Sequence, residues 1–232
     1  MKILDIDIGN TFLKWRTNDA YGSRGRVALT SLEAGEWPLQ VERLRVASVA
    51  GDRVNQVLRE FARQRWGVDA EFAMTSAAQA GVVNSYKDPA RMGVDRWLAI
   101  LSAYALAQRS CWVVDCGSAI TVEQIADNGQ HLGGYIIPGL QLMSKNLLAN
   151  TAEIIVDHSL GRFDCSPGVN TSEAVQHGIN LMVRSLAEQV NKMAGDQSVF
   201  ITGGDAELFC SLVDTFVWSP DLVMDGLELS LG

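Results

Sequence analysis

An apolar run that ends in an aspartate and then turns on a glycine occurs twice in this chain, 108 residues apart. The first copy is Ile3-Leu4-Asp5-Ile6 leading into Asp7-Ile8-Gly9-Asn10-Thr11. The second is Cys111-Trp112-Val113-Val114 leading into Asp115-Cys116-Gly117-Ser118-Ala119. Each continues into a second apolar stretch, so each reads as two strands joined at a glycine turn. In 232 residues that spacing is almost half the length. The chain therefore reads as two copies of one fold unit, each aiming a carboxylate and a glycine turn at a shared cleft. Paired carboxylates and paired glycine turns suit nucleotide phosphates and a metal ion.

The balance of residues narrows the function classes. The chain is 47% hydrophobic and 20% charged, which is ordinary for a globular protein with a real core. A formal charge of −8 argues against sequence-independent binding to nucleic acid, which needs clustered Lys and Arg. It leaves small phosphate ligands open. No apolar run approaches the roughly 18 residues of a membrane helix, and the first residues enter a strand without the pattern of an export signal. A cytoplasmic protein with neither membrane nor nucleic-acid partners is expected. The cysteines Cys111, Cys116, Cys165 and Cys210 form no Cys-x-x-Cys pair, and only three histidines accompany them. Buried reduced thiols explain them better than zinc.

Strands and helices alternate after each opening hairpin. Lys2–Ile8 turns at Gly9-Asn10 and returns through Thr11–Arg16. Residues 17–40 read as loops and short edge strands, and Leu44–Val49 as a buried strand. Asp52 is placed as the cap of a helix through Trp66, on the spacing of Val54, Val57, Leu58, Phe61 and Ala62. A short strand over Ala70–Met74, a loop with Tyr86 and Asp88, and a helix from about Met92 to Gln108 complete the first half. In the second half, Trp112–Asp115 and Ala119–Ile125 flank the second turn, and His131–Ile137 adds a strand. A helix over Leu140–Leu148 precedes a loop at 157–170. Thr171-Ser172-Glu173, with hydroxyls for the cap, opens a long helix to about Met193. Ser198–Thr202 then leads through Gly203-Gly204-Asp205 into a helix over Ala206–Val213. The expected fold class is α/β with two ribonuclease-H-like lobes, 1–110 and 111–232, in the manner of the acetate kinase, sugar kinase, Hsp70 and actin superfamily.

Four stretches carry chemistry. A tight turn at Gly9-Asn10 can point successive N–H groups into one concavity, with Thr11 adding a hydroxyl and Lys14 a point charge. Asp7 would hold Mg²⁺ rather than phosphate. A hairpin whose turn simply prefers Gly and Asn has the same pattern; the second copy favours a ligand. There Ser118 can donate to phosphate and Asp115 can hold a cation. Gly203 and Gly204 let a flat base or ribose lie against the backbone, although a plain strand-to-helix turn looks alike. The fourth stretch is Tyr86-Lys87-Asp88-Pro89-Ala90-Arg91-Met92-Gly93-Val94-Asp95-Arg96-Trp97. One carboxylate and one guanidinium at a helix start can orient a hydroxyl and grip a carboxylate.

Taken in order, Asp-x-Gly-Asn-Thr, Gly-Val-Asp-Arg-Trp and Asp-x-Gly-Ser-Ala-x-Thr, then Gly133-Gly134-Tyr135-Ile136-Ile137-Pro138-Gly139, resemble the type III pantothenate kinases from Asp7 to Gly226. The resemblance implies ATP-dependent phosphorylation of pantothenate to 4′-phosphopantothenate, the first step toward coenzyme A. It assigns the ATP phosphates and Mg²⁺ to Asp7, Ile8, Gly9, Asn10, Thr11, Phe12, Leu13 and Lys14, with Ser118, Gly203 and Gly204 also at ATP. It makes Asp95 the proton acceptor, places Tyr86, Gly93, Val94 and Arg96 at pantothenate, and gives Asp115 a monovalent cation, K⁺ or NH₄⁺. It further implies a homodimer whose pantothenate pocket is completed by Thr171 of a second copy. Two departures stand out. Ser118 replaces a commoner Thr and keeps the hydroxyl, whereas Glu123 replaces a commoner Asp and its role is open. The alternative is a non-catalytic transcription accessory factor on the same scaffold, which would be expected to have eroded motifs.

Overall fold

The computed structural model describes residues 1–9, 12–18, 22–30, 35–149 and 163–232. The first sheet is built from β1 (Ile3–Ile8), β2 (Phe12–Thr17), β3 (Arg24–Ala28), β4 (Arg43–Ser48) and β5 (Ala70–Phe72), in the order β3-β2-β1-β4-β5. The pairs β1/β2 and β2/β3 are antiparallel; β1/β4 and β4/β5 are parallel. Period-two alternation sends Leu4, Ile6 and Ile8 into a core with Leu13, Val46 and Leu58. Helix α1 (Asp52–Trp66) adds Phe61 and Trp66, which meet Trp37 at ring separations of 5.5 and 5.9 Å. Its cap is Gly51, without a side-chain bond, so Asp52 is not the cap as expected. It sits one residue later, where its charge complements the helix dipole.

A two-residue hairpin, β6 (Ala78–Gln79) with β7 (Val82–Val83), follows. Strands this short leave no periodicity to read, and the sequence does not announce them. Helix α2 (Val94–Ala107) is buried over most of its length.

The second sheet repeats the order of the first. It holds β8 (Cys111–Cys116), β9 (Ala119–Ile125), β10 (His131–Pro138), β11 (Ser198–Thr202) and β12 (Phe216–Trp218), arranged β10-β9-β8-β11-β12. Strand β11 runs parallel to both β8 and β12. Helices α3 (Leu140–Ala149), α4 (Thr171–Ala194) and α5 (Ala206–Leu212) belong with it. Val183, Ala187 and Val190 of α4 and Phe209 of α5 enter its core. The duplication read from the two glycine turns is thus a duplication of sheet topology.

The last helix, α6 (Leu222–Leu231), was not anticipated. It packs against α2, where a side chain at Gly226 would run into the backbone of Leu98. Ion pairs fasten it to the first sheet, Arg16 to Asp225 at 2.5 Å and Arg24 to Asp221 at 3.2 Å. The chain accordingly separates into two compact units that are not one cut at 110/111. Residues 1–109, 125–133 and 221–232 form one, and 110–124 with 134–220 form the other.

Candidate active site

In the first unit the turn after β1 closes through the Gly9 N–H, which donates to the Phe12 carbonyl at 3.0 Å. Asn10 and Thr11 lie outside the described residues. Ile8 and Leu13 are fully buried core side chains, which leaves them only main-chain groups to offer a phosphate. Phe12 is exposed beneath the Arg26 guanidinium, 3.6 Å from the ring centre. Asp7 and Lys14 stand directly opposite each other across the β1/β2 ladder. Burial pushes the Asp7 carboxyl up to about 6; Lys14 pulls it down, and the charge of Asp95 raises it further. A carboxylate kept from water beside another carboxylate is a place that favours a cation.

The unfolded chain loses the Asp7 proton near 3.8 and the folded chain near 6. Well below 3.8 both forms are neutral and the site costs nothing; the cost builds between 3.8 and 6, and above 6 both are ionised and the full cost stands. Asp7→Asn is expected to raise stability at pH 7 by on the order of 2 kcal/mol, after allowance for the water that still reaches this side chain, and the gain should shrink as pH falls through 6 and vanish only toward about pH 3. Urea midpoints across that range check it.

Asp95 occupies the first turn of α2, with Gly93 at the cap. Its Oδ1 accepts the Arg96 N–H at 2.8 Å, and a Cβ on Gly93 would lie 2.6 Å from the same oxygen. The bare glycine is what lets the carboxylate fold back over the helix start. Val94 is buried, and Arg96 is only 8% exposed. One guanidinium nitrogen of Arg96 donates to the Tyr86 hydroxyl at 3.0 Å. The loop that carries Tyr86 is pinned from several sides. Asn84 accepts the Tyr86 N–H at 2.9 Å, Thr75 donates to the Met92 carbonyl at 3.0 Å, and Asp88 caps the short turn Pro89–Arg91. Asp7, Lys14, Asp95, Arg96 and Tyr86 all belong to this unit, and Asp95 is close enough to Asp7 for its charge to be felt there.

In the second unit the turn after β8 is one residue tighter, closed by the Gly117 N–H on the Ala119 carbonyl at 3.0 Å. Ser118 is exposed, and its carbonyl accepts the Gly139 N–H at 3.0 Å. Gly203 adopts φ 95° beside Asp115, and a Cβ there would lie 2.5 Å from the Asp115 Oδ1 and from the Cys116 carbonyl oxygen. Only glycine combines that backbone conformation with open space at the carboxylate. Gly204 is exposed, with nothing near its missing side chain. Glu123 is buried, and its carboxylate lies where a side chain on Gly134 would be. The buried thiol of Cys111 is pushed up to about 12, and that of Cys116 is raised as well, by burial and then by Asp115 and Asp205.

Thr171 is exposed at the first position of α4, but its hydroxyl is not the cap. Asn170 caps the helix by accepting the Glu173 N–H at 3.0 Å, and Glu173 in turn accepts the Val169 N–H at 2.9 Å. Asparagine outcompetes threonine here because its carbonyl reaches the third N–H of the helix. Thr171 lines a groove of about 690 Å³ with Leu147, Val169, Val175, Ile179 and Met182.

One residue of this region escaped the sequence reading. His131, at the start of β10, is completely buried and stacks on Tyr86 at a ring separation of 6.5 Å and an angle of 28°. A lone histidine before a Leu-Gly-Gly run carries no motif of its own, and its partner is 45 positions away.

A family model for type III pantothenate kinase matches residues 3–193. Type III pantothenate kinases of Ectopseudomonas mendocina and Pseudomonas paraeruginosa are each 37% identical to the chain, with 98% of both partners covered. That of Marinobacter nauticus is 36% identical over 97% of this chain and 96% of its own. Among solved structures, a chain described as a Baf family transcriptional activator from Campylobacter jejuni superposes with a TM-score of 0.64 at 19% identity, covering 97% of this chain and 95% of that one. A chain described as a 2-dehydro-3-deoxygalactonokinase from Sinorhizobium meliloti does so at 0.59 and 14%, covering 99% and 95%. At such identities these two likenesses speak to the fold, the two-lobed ribonuclease-H-like plan, and to nothing finer.

Proposed function

The chain belongs to the type III pantothenate kinase family and is an enzyme of that class; we propose that it transfers the γ-phosphoryl group of ATP in line to the primary hydroxyl of pantothenate, giving 4′-phosphopantothenate on the way to coenzyme A. The observation that carries the reading is the grouping in one unit of Asp7, Lys14 and Asp95, with the ammonium of Lys14 and the carboxylate of Asp95 both acting on the buried carboxyl of Asp7. Phosphoryl transfer asks a protein for positioning and charge neutralisation more than for covalent chemistry. Asp95 orients the attacking hydroxyl and accepts its proton. Arg96, held on Tyr86, faces the substrate carboxylate, with Gly93 and Val94 beside it. In the first unit Gly9, Lys14 and the main chain of Ile8, Phe12 and Leu13 contact the ATP phosphates; in the second unit Ser118 donates to phosphate, and Gly203 and Gly204 leave room for the base or ribose of ATP.

Two cations fit the donor sets. Asp7 is a raised, partly buried carboxylate suited to hold Mg²⁺ through water, and Asp115 has its approach kept clear by Gly203, which suits K⁺ or NH₄⁺. When bound, these ions neutralise phosphate charge. Raising the pH through about 6 ionises Asp7 and readies it for that role.

The reading includes a homodimer in which Thr171 of one copy completes the other's pantothenate pocket. Val183 turns into the core of α4's own unit and Ile179 is buried at the floor of the groove, whereas Leu181 and Met182 are more than half exposed and Val169 almost wholly so. Of these, Val169 and Met182 line the same groove as Thr171, and apolar side chains left outward there support a symmetric contact. A dimer is expected by light scattering at micromolar concentration, and a monomer would remove Thr171 from the site. No helix among the described residues is long and apolar enough to cross a membrane, and the proposed location is cytoplasmic.

The test is ADP release from ATP with Mg²⁺ and K⁺, with and without pantothenate. Pantothenate-dependent turnover is expected. Its absence from a folded protein in both K⁺ and NH₄⁺ would overturn the reading in favour of another small acid or of the regulatory role.

A further inference from the structure

We infer that His131 is a positioning residue for Arg96, acting through Tyr86, and that it thereby sets how tightly the enzyme grips its acid substrate. The inference rests on the proposed function for its kinetic meaning, but its geometry stands apart from it. His131 is wholly buried, Arg96 is 8% exposed and Tyr86 lies between them. The imidazole backs the Tyr86 ring at 6.5 Å, nearly parallel to it. The phenol hydroxyl on that ring accepts from the Arg96 guanidinium at 3.0 Å, and the guanidinium carbon stands 5.7 Å from the ring centre.

The imidazole is itself held. Its Nδ1 is 2.9 Å from the Ser85 hydroxyl, one residue before Tyr86. On the other side of that residue pair, Asn84 accepts the Tyr86 N–H at 2.9 Å and is buried against Met92. Tyr86 therefore has its main chain fixed by Asn84 and its ring fixed by His131. A phenol so constrained holds its hydroxyl at one point, and Arg96 inherits that point. A long guanidinium side chain loses much rotamer freedom on being ordered. If that ordering is complete before substrate arrives, binding a carboxylate does not have to supply it. His131 touches neither reacting atom, so its removal should weaken the grip on the acid substrate while leaving the nucleotide alone.

Two readouts test this. The Arg96 Nε–H resonance in a ¹⁵N spectrum, identified with Arg96→Lys, should be sharp and slow to exchange in the unmodified protein. It should broaden or exchange at least about tenfold faster in His131→Ala and Tyr86→Phe, and less so in Ser85→Ala, which keeps the ring stack. Steady-state kinetics should then show the KM for pantothenate raised about tenfold in His131→Ala and Tyr86→Phe, with the KM for ATP within twofold. The double variant should be no worse than the poorer single one, because both act through Arg96. His131→Phe should recover part of the loss by restoring the ring behind Tyr86. An unchanged Arg96 resonance in the His131 variants, equal rises in both KM values or additive losses would overturn the inference. A resonance that responds as expected in a protein without pantothenate-dependent turnover would uphold the positioning and overturn the function instead. Should His131→Ala not fold, Ser85→Ala at the exposed end of the same bond and His131→Phe carry the test.

Discussion

Asp95→Asn is expected to keep the fold and lower kcat for pantothenate phosphorylation by about 10²- to 10⁴-fold, the range a positioned general base supplies. Asparagine has nearly the same shape and can still accept the Arg96 N–H now taken by Asp95 Oδ1 at 2.8 Å. The structural loss is a first-turn charge, about 0.3–1 kcal/mol. The chemical loss is the basic carboxylate at the α2 start. The comparison is ADP release at saturating ATP and pantothenate, with urea unfolding of both proteins beside it. Turnover within threefold of the unmodified enzyme would remove Asp95 from the reaction. The substitution also takes away a charge that raises Asp7. In the variant the pH dependence of stability should therefore move to lower pH, a result that reads the Asp7–Asp95 coupling independently of turnover.

The largest effect on stability is expected at Asp5, which does no chemistry. Its carboxylate is 2% exposed and accepts two bonds from Arg45, at 2.7 and 3.1 Å, while Arg45 is 3% exposed. Arg16 reaches the same carboxylate at 3.2 Å. Strands β1 and β4 put Asp5 and Arg45 in register side by side, so the pair is forced by the ladder rather than chosen by flexible side chains. Asp5→Ala would leave the Arg45 guanidinium buried without that carboxylate, and the expected cost is about 3–5 kcal/mol. Arg16 suffers less, because it keeps Asp225 at 2.5 Å. The check is a fall in the urea midpoint at unchanged slope. Restoring most of the loss with Arg45→Met in the Asp5→Ala background would show that the cost is the orphaned charge. A loss below about 1 kcal/mol would show that Arg45 finds water or another acceptor.

These two sites differ in how visible they are in the chain. Asp95 is legible because a Gly-Val-Asp-Arg-Trp run at a helix start is a local pattern, and the structure does place Gly93 at the cap and Asp95 in the first turn. Asp5 is not legible as a buried ion: it sits inside an apolar run and its partner is 40 positions away. Helix caps show the same limit at close range. The hydroxyls at Thr171-Ser172 made a sound cap, yet Asn170 took the position because the helix begins one residue earlier than they require. A cap depends on where the preceding loop enters, and composition alone does not set that entry.

From its sequence alone the chain determined the two glycine turns, the strands that flank them, the repeat of one sheet topology and the helix start that carries Asp95 and Arg96. These are short-range matters of side-chain alternation, turn geometry and the freedom of glycine. The tertiary structure decided which distant groups share a neighbourhood. It set the charge of Asp95 against Asp7, placed Gly203 over Asp115, backed Tyr86 with His131 and returned the C-terminal helix to the first unit. Strand register and helix packing choose such neighbours by the sum of many small contacts spread along the chain. No residue announces its share of that sum, and so the raised carboxyl of Asp7 and the anchored guanidinium of Arg96 exist only in the folded protein.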